Sequence, residues 1–419
     1  MNSFNIFKYD LISFLIYITL VAFGLLNIFS SSYTENFTSI FDYNTLVGKQ
    51  IIFFLISIIG LIFILFFKPK IFDNISFYMY MLSIILLIGV FVFGVERGGA
   101  RSWYSFGPIS FQPSEFAKLT TSLFLAKFLS IVQTDLNKFR DILMVFTIIL
   151  IPVILIIIQP DPGSAIIYTA LFFPIFREGL SLDFFYYGLI VLSIFIFTLL
   201  LNWSLISIIL LIIFLIYYYV SRYKKLKFRL IKNLLIITSF ILISFSTNYI
   251  FENVLEQRHR DRINLILGKE IDVSGIGYNT NQSIIAISKG GFSGTGFLKG
   301  TQTKGNFVPR QHTDYIFSTI GEEWGFIGSF MTIILFCVFI IRILIRAEKQ
   351  AIYFRRIYIY SFAAIIFLHF FINIGMSIGI VPSIGIPLPF ISYGGSSLLI
   401  FSIMFFIYLN FDSSRLKES

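Results

Sequence analysis

Charge is scarce in this chain. Of its 419 residues only 13% are Asp, Glu, Lys or Arg, about half the share usual in soluble domains. That scarcity, with 57% hydrophobic residues and a mean hydropathy of +0.87, excludes an ordinary soluble fold. Cysteine is nearly absent. The single Cys337 sits in an apolar run, so neither a disulfide framework nor a thiolate metal site can be built. Histidine is rare too, and His259, His312 and His369 are too scattered for a zinc cluster. Alternating segments of about ten residues are missing, which excludes an outer-membrane barrel. No small-x-small cleavage site follows the first apolar run, so residues 10–30 read as a retained helix rather than a signal peptide. The net charge of +10 lies largely in a few loops. There it sets membrane orientation and is no sign of nucleic-acid binding.

What is present is a series of apolar runs of helix-spanning length, the mark of an all-α polytopic membrane protein. Twelve spans are expected, near residues 10–30, 50–67, 75–95, 113–133, 142–158, 164–177, 184–201, 204–220, 233–250, 314–344, 352–378 and 391–411. The loops between them fall into two sets. One carries Lys8, Lys68, Lys70, Lys138, Arg140 and Arg177, the run "SRYKKLKFRLIKN" (221–233), then Arg346, Lys349, Arg355 and Arg356, and the tail with Arg415 and Lys417. The other short loops hold almost no Lys or Arg. The positive-inside rule therefore places both termini in the cytoplasm and segment 251–313 outside. Connections of about sixty residues are uncommon and often functional. Within this one, "NQSIIAISKGGFSGTGFLKG" reads as a short amphipathic helix followed by glycine turns, suited to a membrane surface.

Polar residues at membrane depth are the next signal. In "RGGARSWYSFGPISFQPSEFAKLTTSLFLAKF" (97–128), Pro113 suits a first helical turn, and Glu115 and Lys118 follow on one face. Two readings stand: a structural ion pair that fixes helix packing, or a polar cavity in which Lys118 meets a phosphate. "QPDPGSA" (159–165) places Asp161 before a helix, where an acid suits the N-terminus. "QHTDYIFSTIGEEWGFIG" (311–328) brings His312 and Asp314, then Glu322 and Glu323, either paired in the bundle or lining a polar cleft. "NIGMSIGIVPSIGIPLPFISYGGSS" (373–397) reads as a broken helix–turn–helix, an element that survives at depth only where protein or water covers it.

These blocks, with "DVSGIGYNTNQS" (272–283), resemble in order the signature blocks of the SEDS family (shape, elongation, division and sporulation). The resemblance covers about residues 10–411 and is closer to the RodA branch than to the FtsW branch. It implies a single membrane domain over 1–419, built on a ten-helix core. An extra helix pair would fall within 184–250, and 251–313 would be a large extracytoplasmic catalytic loop. It implies a peptidoglycan glycosyltransferase that polymerises lipid II during cell-wall elongation and cell-shape maintenance, at the outer face of the bacterial cytoplasmic membrane. The expected partners are a class B penicillin-binding protein and other elongation-complex membrane proteins. The family's essential acid maps to Asp272, and its substrate-side Arg, Glu and Lys map to Arg101, Glu115 and Lys118. The chain departs from the family pattern at Val273, where proline is usual, and at Asn279, where Gln or His is common.

The chemistry agrees. A sugar hydroxyl attacks an anomeric carbon while a lipid pyrophosphate leaves, so one carboxylate serves as general base and cations meet the leaving group. Asp272 fits the first task, although an Asp before glycines also stabilises turns. Arg101, Lys118, Arg258, Arg260 and Arg262 are the candidates for the second, and Gln282, His312 and Asp314 complete the candidate substrate contacts. A divalent cation, Mg²⁺ or Mn²⁺, would share the work. Two other functions fit the same sequence: a lipid II flippase, which would depend on acids inside the bundle rather than on Asp272, and a division-type FtsW glycosyltransferase.

Overall fold

The computed structural model describes residues 9–33, 39, 42–97, 99–107, 109–131, 134–223, 230–255, 257–266 and 277–415. Two compact units are distinguished, Met1–Gly179 with Asn279–Ser419, and Leu180–Tyr278.

The larger unit begins with three long helices, α1 (Leu11–Ser32), α2 (Leu46–Phe66) and α3 (Lys70–Phe93). Polar residues at their starts explain where two of them begin. Asp10 accepts from the Ser13 amide at 3.4 Å, and Thr45 accepts from the Gly48 amide at 3.0 Å. A small antiparallel sheet follows, β1 (Val95–Arg97), β2 (Ala100–Phe106) and β3 (Ile109–Phe111), with Glu96 opposite Arg101 and Tyr104 opposite Phe111. Then come α4 (Pro113–Leu129), α5 (Phe139–Ile158) and a broken segment made of α6 (Pro162–Ile166), a 3-10 turn (Ile167–Leu171) and α7 (Phe172–Arg177).

The smaller unit holds α8 (Leu182–Leu201), α9 (Trp203–Tyr223) and α10 (Leu230–Tyr249), then α11 (Gln257–Ile266). Inside it a Thr198–Ser244 hydroxyl contact of 2.8 Å joins α8 to α10. The interval expected to carry an added pair thus contains three helices.

The larger unit resumes with α12 (Tyr278–Gly290), α13 (Thr301–Lys304), α14 (Ile316–Glu348), α15 (Tyr353–Ser377) and α16 (Gly395–Arg415). Its centre is α15 and α16, which are mostly buried, whereas little of α2 is. The α14 helix is broken at Gly325, whose φ of 65° is open to glycine and costly for a side chain. The break frees the amides of Phe326 and Ile327, which donate to the carbonyls of Gly291 (2.9 Å) and Phe292 (3.2 Å).

Among the described residues ten helices, not twelve, are long and apolar enough to cross a membrane. The other two expected spans are helical but fall short for physical reasons. The α4 helix has 17 residues and buries Glu115, Lys118, Thr120, Thr121 and Ser122. Segment 162–177 contains two prolines and is split into three pieces. The amphipathic helix expected near 281 is α12, and it packs on protein. Ser283 donates to the Ser377 carbonyl at 2.8 Å. Gly290 lies so close to the Gly321 carbonyl of α14 that a side chain there would collide with it.

Candidate functional site

Blocks far apart in sequence meet at one end of the larger unit. Gln112, just before α4, donates through Nε2 to Asp161 Oδ2 at 2.9 Å. Asp161 also accepts from the backbone amide and hydroxyl of Ser164, at 3.0 and 2.7 Å. Asp161 is therefore the N-cap of α6, and Gln112 ties that cap to the start of α4.

One turn into α4, Glu115 and Lys118 form the expected pair, Nζ to Oε1 at 2.7 Å. Lys118 Nζ also lies 3.0 Å from His369 Nε2 of α15 and 5.3 Å from the centre of the Phe401 ring of α16. His369 Nδ1 is 3.2 Å from the Pro387 carbonyl. A carbonyl only accepts, so Nδ1 carries the hydrogen and Nε2 offers its lone pair to the ammonium. The three donors of Lys118 are thus spent on a carboxylate, an imidazole and an aromatic face. Lys118 is 2% exposed and Glu115 is 3% exposed. In this state neither meets open space, and the geometry is that of a closed ion pair within α4 whose Lys118 reaches across to His369 of α15.

One turn further along α15, Asn373 donates to the carbonyls of Ile386 (2.7 Å) and Asp314 (2.8 Å). Ser392 donates to the Thr313 carbonyl at 2.6 Å and accepts from the Leu388 amide at 2.8 Å. The Tyr393 amide donates to the His312 carbonyl at 2.8 Å. Residues 312–314 are thus laced to residues 386–393. Phe390 in that loop has φ 67°, a strained value for a bulky residue. Its buried ring is held edge-on by Tyr17 and Phe339, with centroids 5.1 and 5.8 Å away. The His312 ring lies against Tyr393, and burial followed by the Arg310 charge holds its pKa below the usual imidazole value. Asp314 Oδ2 is 3.4 Å from the exposed Arg310 guanidinium.

Glu322 and Glu323 are neither ion-paired among the described residues nor lining a cleft. The Glu322 carboxylate accepts from the amides of Gln302 (2.7 Å) and Thr303 (2.8 Å) and from the Thr303 hydroxyl (2.7 Å). Glu323 accepts from the Ser30 hydroxyl of α1. Both acids anchor loop 294–304 to the bundle. Glu322→Gln is expected to lower stability by about 1–3 kcal/mol, since one amide donor would be left facing another. Thermal unfolding in detergent measures it, and unchanged stability would remove the anchoring role.

The other expected contacts are placed as follows. Arg101 donates to the carbonyls of Gly94 (2.8 Å) and Val92 (3.2 Å), so it caps the end of α3 and its guanidinium is partly committed. Gln282 is half-buried on α12. In the smaller unit, Arg260 donates to the Glu252 carbonyl at 3.0 Å. Arg258 and Arg262 lie on α11, but their side chains are outside the described residues, and so is Asp272 altogether. The structure therefore joins Glu115 and Lys118 to the network that holds His312 and Asp314. His369, Asn373 and Gln112 were not singled out from sequence. The available signal was an ionisable His369 inside an apolar span.

A family model described as "Cell cycle protein", FtsW/RodA/SpoVE, matches residues 10–206 and 187–417. Peptidoglycan glycosyltransferase MrdB of Escherichia coli is 30% identical over 350 residues, 83% of this chain and 80% of its own. Peptidoglycan glycosyltransferase RodA of Treponema pallidum is 30% identical over 415 residues, 93% of this chain and 94% of its own. Among solved structures, a chain from a peptidoglycan synthase complex that coordinates polymerization and crosslinking has the same fold. It superposes with a TM-score of 0.70 at 23% identity, over 97% of this chain and 98% of that one. The chain belongs to the FtsW/RodA/SpoVE family, the SEDS family whose signature blocks its sequence resembles.

Proposed function

We propose that this integral membrane protein is a peptidoglycan glycosyltransferase of the RodA type, polymerising lipid II on the outer face of the cytoplasmic membrane. The observation that carries the reading is the convergence of the family's blocks on one end of the bundle. There, Gln112–Asp161, Lys118–His369–Pro387 and Ser392–Thr313 join segments from α4 to α16. The basic loops at the opposite ends of the helices support placing that end outside. The names of the relatives support the activity.

In this mechanism Asp272 takes the proton of the attacking sugar hydroxyl as the new glycosidic bond forms and the lipid pyrophosphate leaves. Charge on the leaving group is met by cations: the exposed Arg310 is the candidate at the convergent end, and Arg258, Arg260 and Arg262 are candidates on the sequence alone. Lys118 and Glu115 act by holding α4 against α15. The described residues do not fit a resident metal. They contain no group of three or more His, Cys, Asp or Glu, and the Lys118 ammonium occupies the place a cation would take beside Glu115. Mg²⁺ or Mn²⁺ would instead be held largely by pyrophosphate oxygens.

The SEDS resemblance and the solved synthase complex support a class B penicillin-binding protein as the partner. The test is to purify the chain with that partner and supply labelled lipid II. Glycan strands are expected. Measurable lipid flipping without strands would overturn the enzyme in favour of the transporter. Loss of septation rather than of cell shape on depletion would move it to the FtsW type.

A further inference from the structure

We propose that the groove between the start of α1 and the second half of α14 binds one anionic phospholipid. The cavity has a volume of about 390 Å³. Its walls are Ile12, Val338, Ile341 and Ile345, each about half exposed. At its mouth stand Arg342, Arg346 and Lys349, spaced so that one face of α14 carries all three. Apolar walls below and a cationic rim above match acyl chains joined to a phosphate.

The rim holds more positive charge than the protein uses. Arg342 is committed to buried Asp10, with Nε at 2.7 Å and Nη2 at 2.6 Å. Arg346 is held only loosely, 3.4 Å from Asp412 and 3.8 Å from Asp10, and 23% of its side chain is exposed. Lys349 is exposed and makes no ion pair among the described residues. Arg342 and Arg346, with Arg415 at 3.9 Å from Asp412, face the two buried carboxylates, and Lys349 faces neither, which leaves positive charge in excess at the interface. The groove also lies at the helix ends that carry the basic loops, where an anionic headgroup is drawn in by such charge. A zwitterionic lipid would fill the walls but gain nothing from that surplus. A partner helix would cover the walls and leave the rim without a phosphate.

The test uses the full chain in micelles holding equal amounts of phosphatidylglycerol and phosphatidylcholine, followed by native mass spectrometry. The wild type is expected to keep one phosphatidylglycerol in preference. Lys349→Gln should weaken that preference about fivefold, the effect of one surface cation on an anionic headgroup. Ile345→Trp, which fills the groove, should reduce retention of both lipids. Both substituted positions are exposed, so folding is preserved, and thermal unfolding checks it. Equal retention of the two lipids by the wild type overturns the proposal. So does a preference that survives both substitutions, and so does a groove empty of lipid that a copurifying helix protects. None of these results depends on glycosyltransferase activity.

Discussion

Asp272→Asn is expected to lower strand formation from lipid II by a factor of about 10²–10⁴, the contribution of a positioned general base. Asparagine keeps the size of the side chain and the carbonyl that stabilises a turn before glycines, so a purely structural role survives the change. It cannot take a proton at neutral pH, so the base does not survive. Asp272→Ala removes both functions, and the two variants together separate them. If asparagine works as well as aspartate, Asp272 is a turn residue and the base lies elsewhere. Both proteins must show wild-type thermal unfolding and expression, since the polar stretch "LGKEIDVSGIGYNTNQS" (267–283) ends in the first turns of α12, which is docked on α14 and α15. Lipid flipping by Asp272→Asn at the wild-type rate would leave the transporter reading intact, whereas loss of strands with folding retained supports the enzyme. Restoring proline at Val273 or Gln at Asn279 should change the rate far less, because neither position carries the carboxylate.

Most of the helices were legible because long apolar runs leave a chain few alternatives in a bilayer. The failures are as physical as the successes. The α4 helix was marked correctly by Pro113, but its inward faces are polar, so it is not an apolar span by composition. The span expected at 164–177 is instead divided into an α-helical start, a tighter middle and an α-helical end, in a segment that holds Pro162 and Pro174. Spacing alone gave the Glu115–Lys118 pair, since residues three apart on a helix meet. It could not give His369, 251 positions away, because that contact is a product of how α4 and α15 pack. For Glu322 and Glu323 the sequence left two readings, pairing in the bundle or lining a polar cleft. Their partners are the Gln302 and Thr303 amides at the start of α13 and the Thr303 and Ser30 hydroxyls, contacts that no residue pattern advertises. Arg101 looked like a phosphate ligand, and only the geometry assigns it to the open carbonyls at the end of α3.

Lys118→Ala is expected to cost about 3–5 kcal/mol of stability, the usual effect of removing one partner of a buried ion pair. Glu115 would be left 3% exposed with no cation beside it, and its second oxygen already lacks a hydrogen-bond partner. His369 Nε2 would lose its donor as well. The double variant Glu115→Gln/Lys118→Met removes both charges while keeping much of the volume, and buried pairs replaced in this way are often neutral in stability. It should unfold near the wild-type temperature, well above Lys118→Ala. Activity then decides what the pair is for. Because Lys118 is spent on Glu115, His369 and the Phe401 ring, strand formation per folded molecule is expected to recover in the double variant along with stability. A double variant that is stable but makes no strands would show that the charge of Lys118 takes part in the reaction. The Lys118–His369 contact would then have to open during turnover, carrying with it the Pro387 carbonyl and the loop laced to His312 and Asp314.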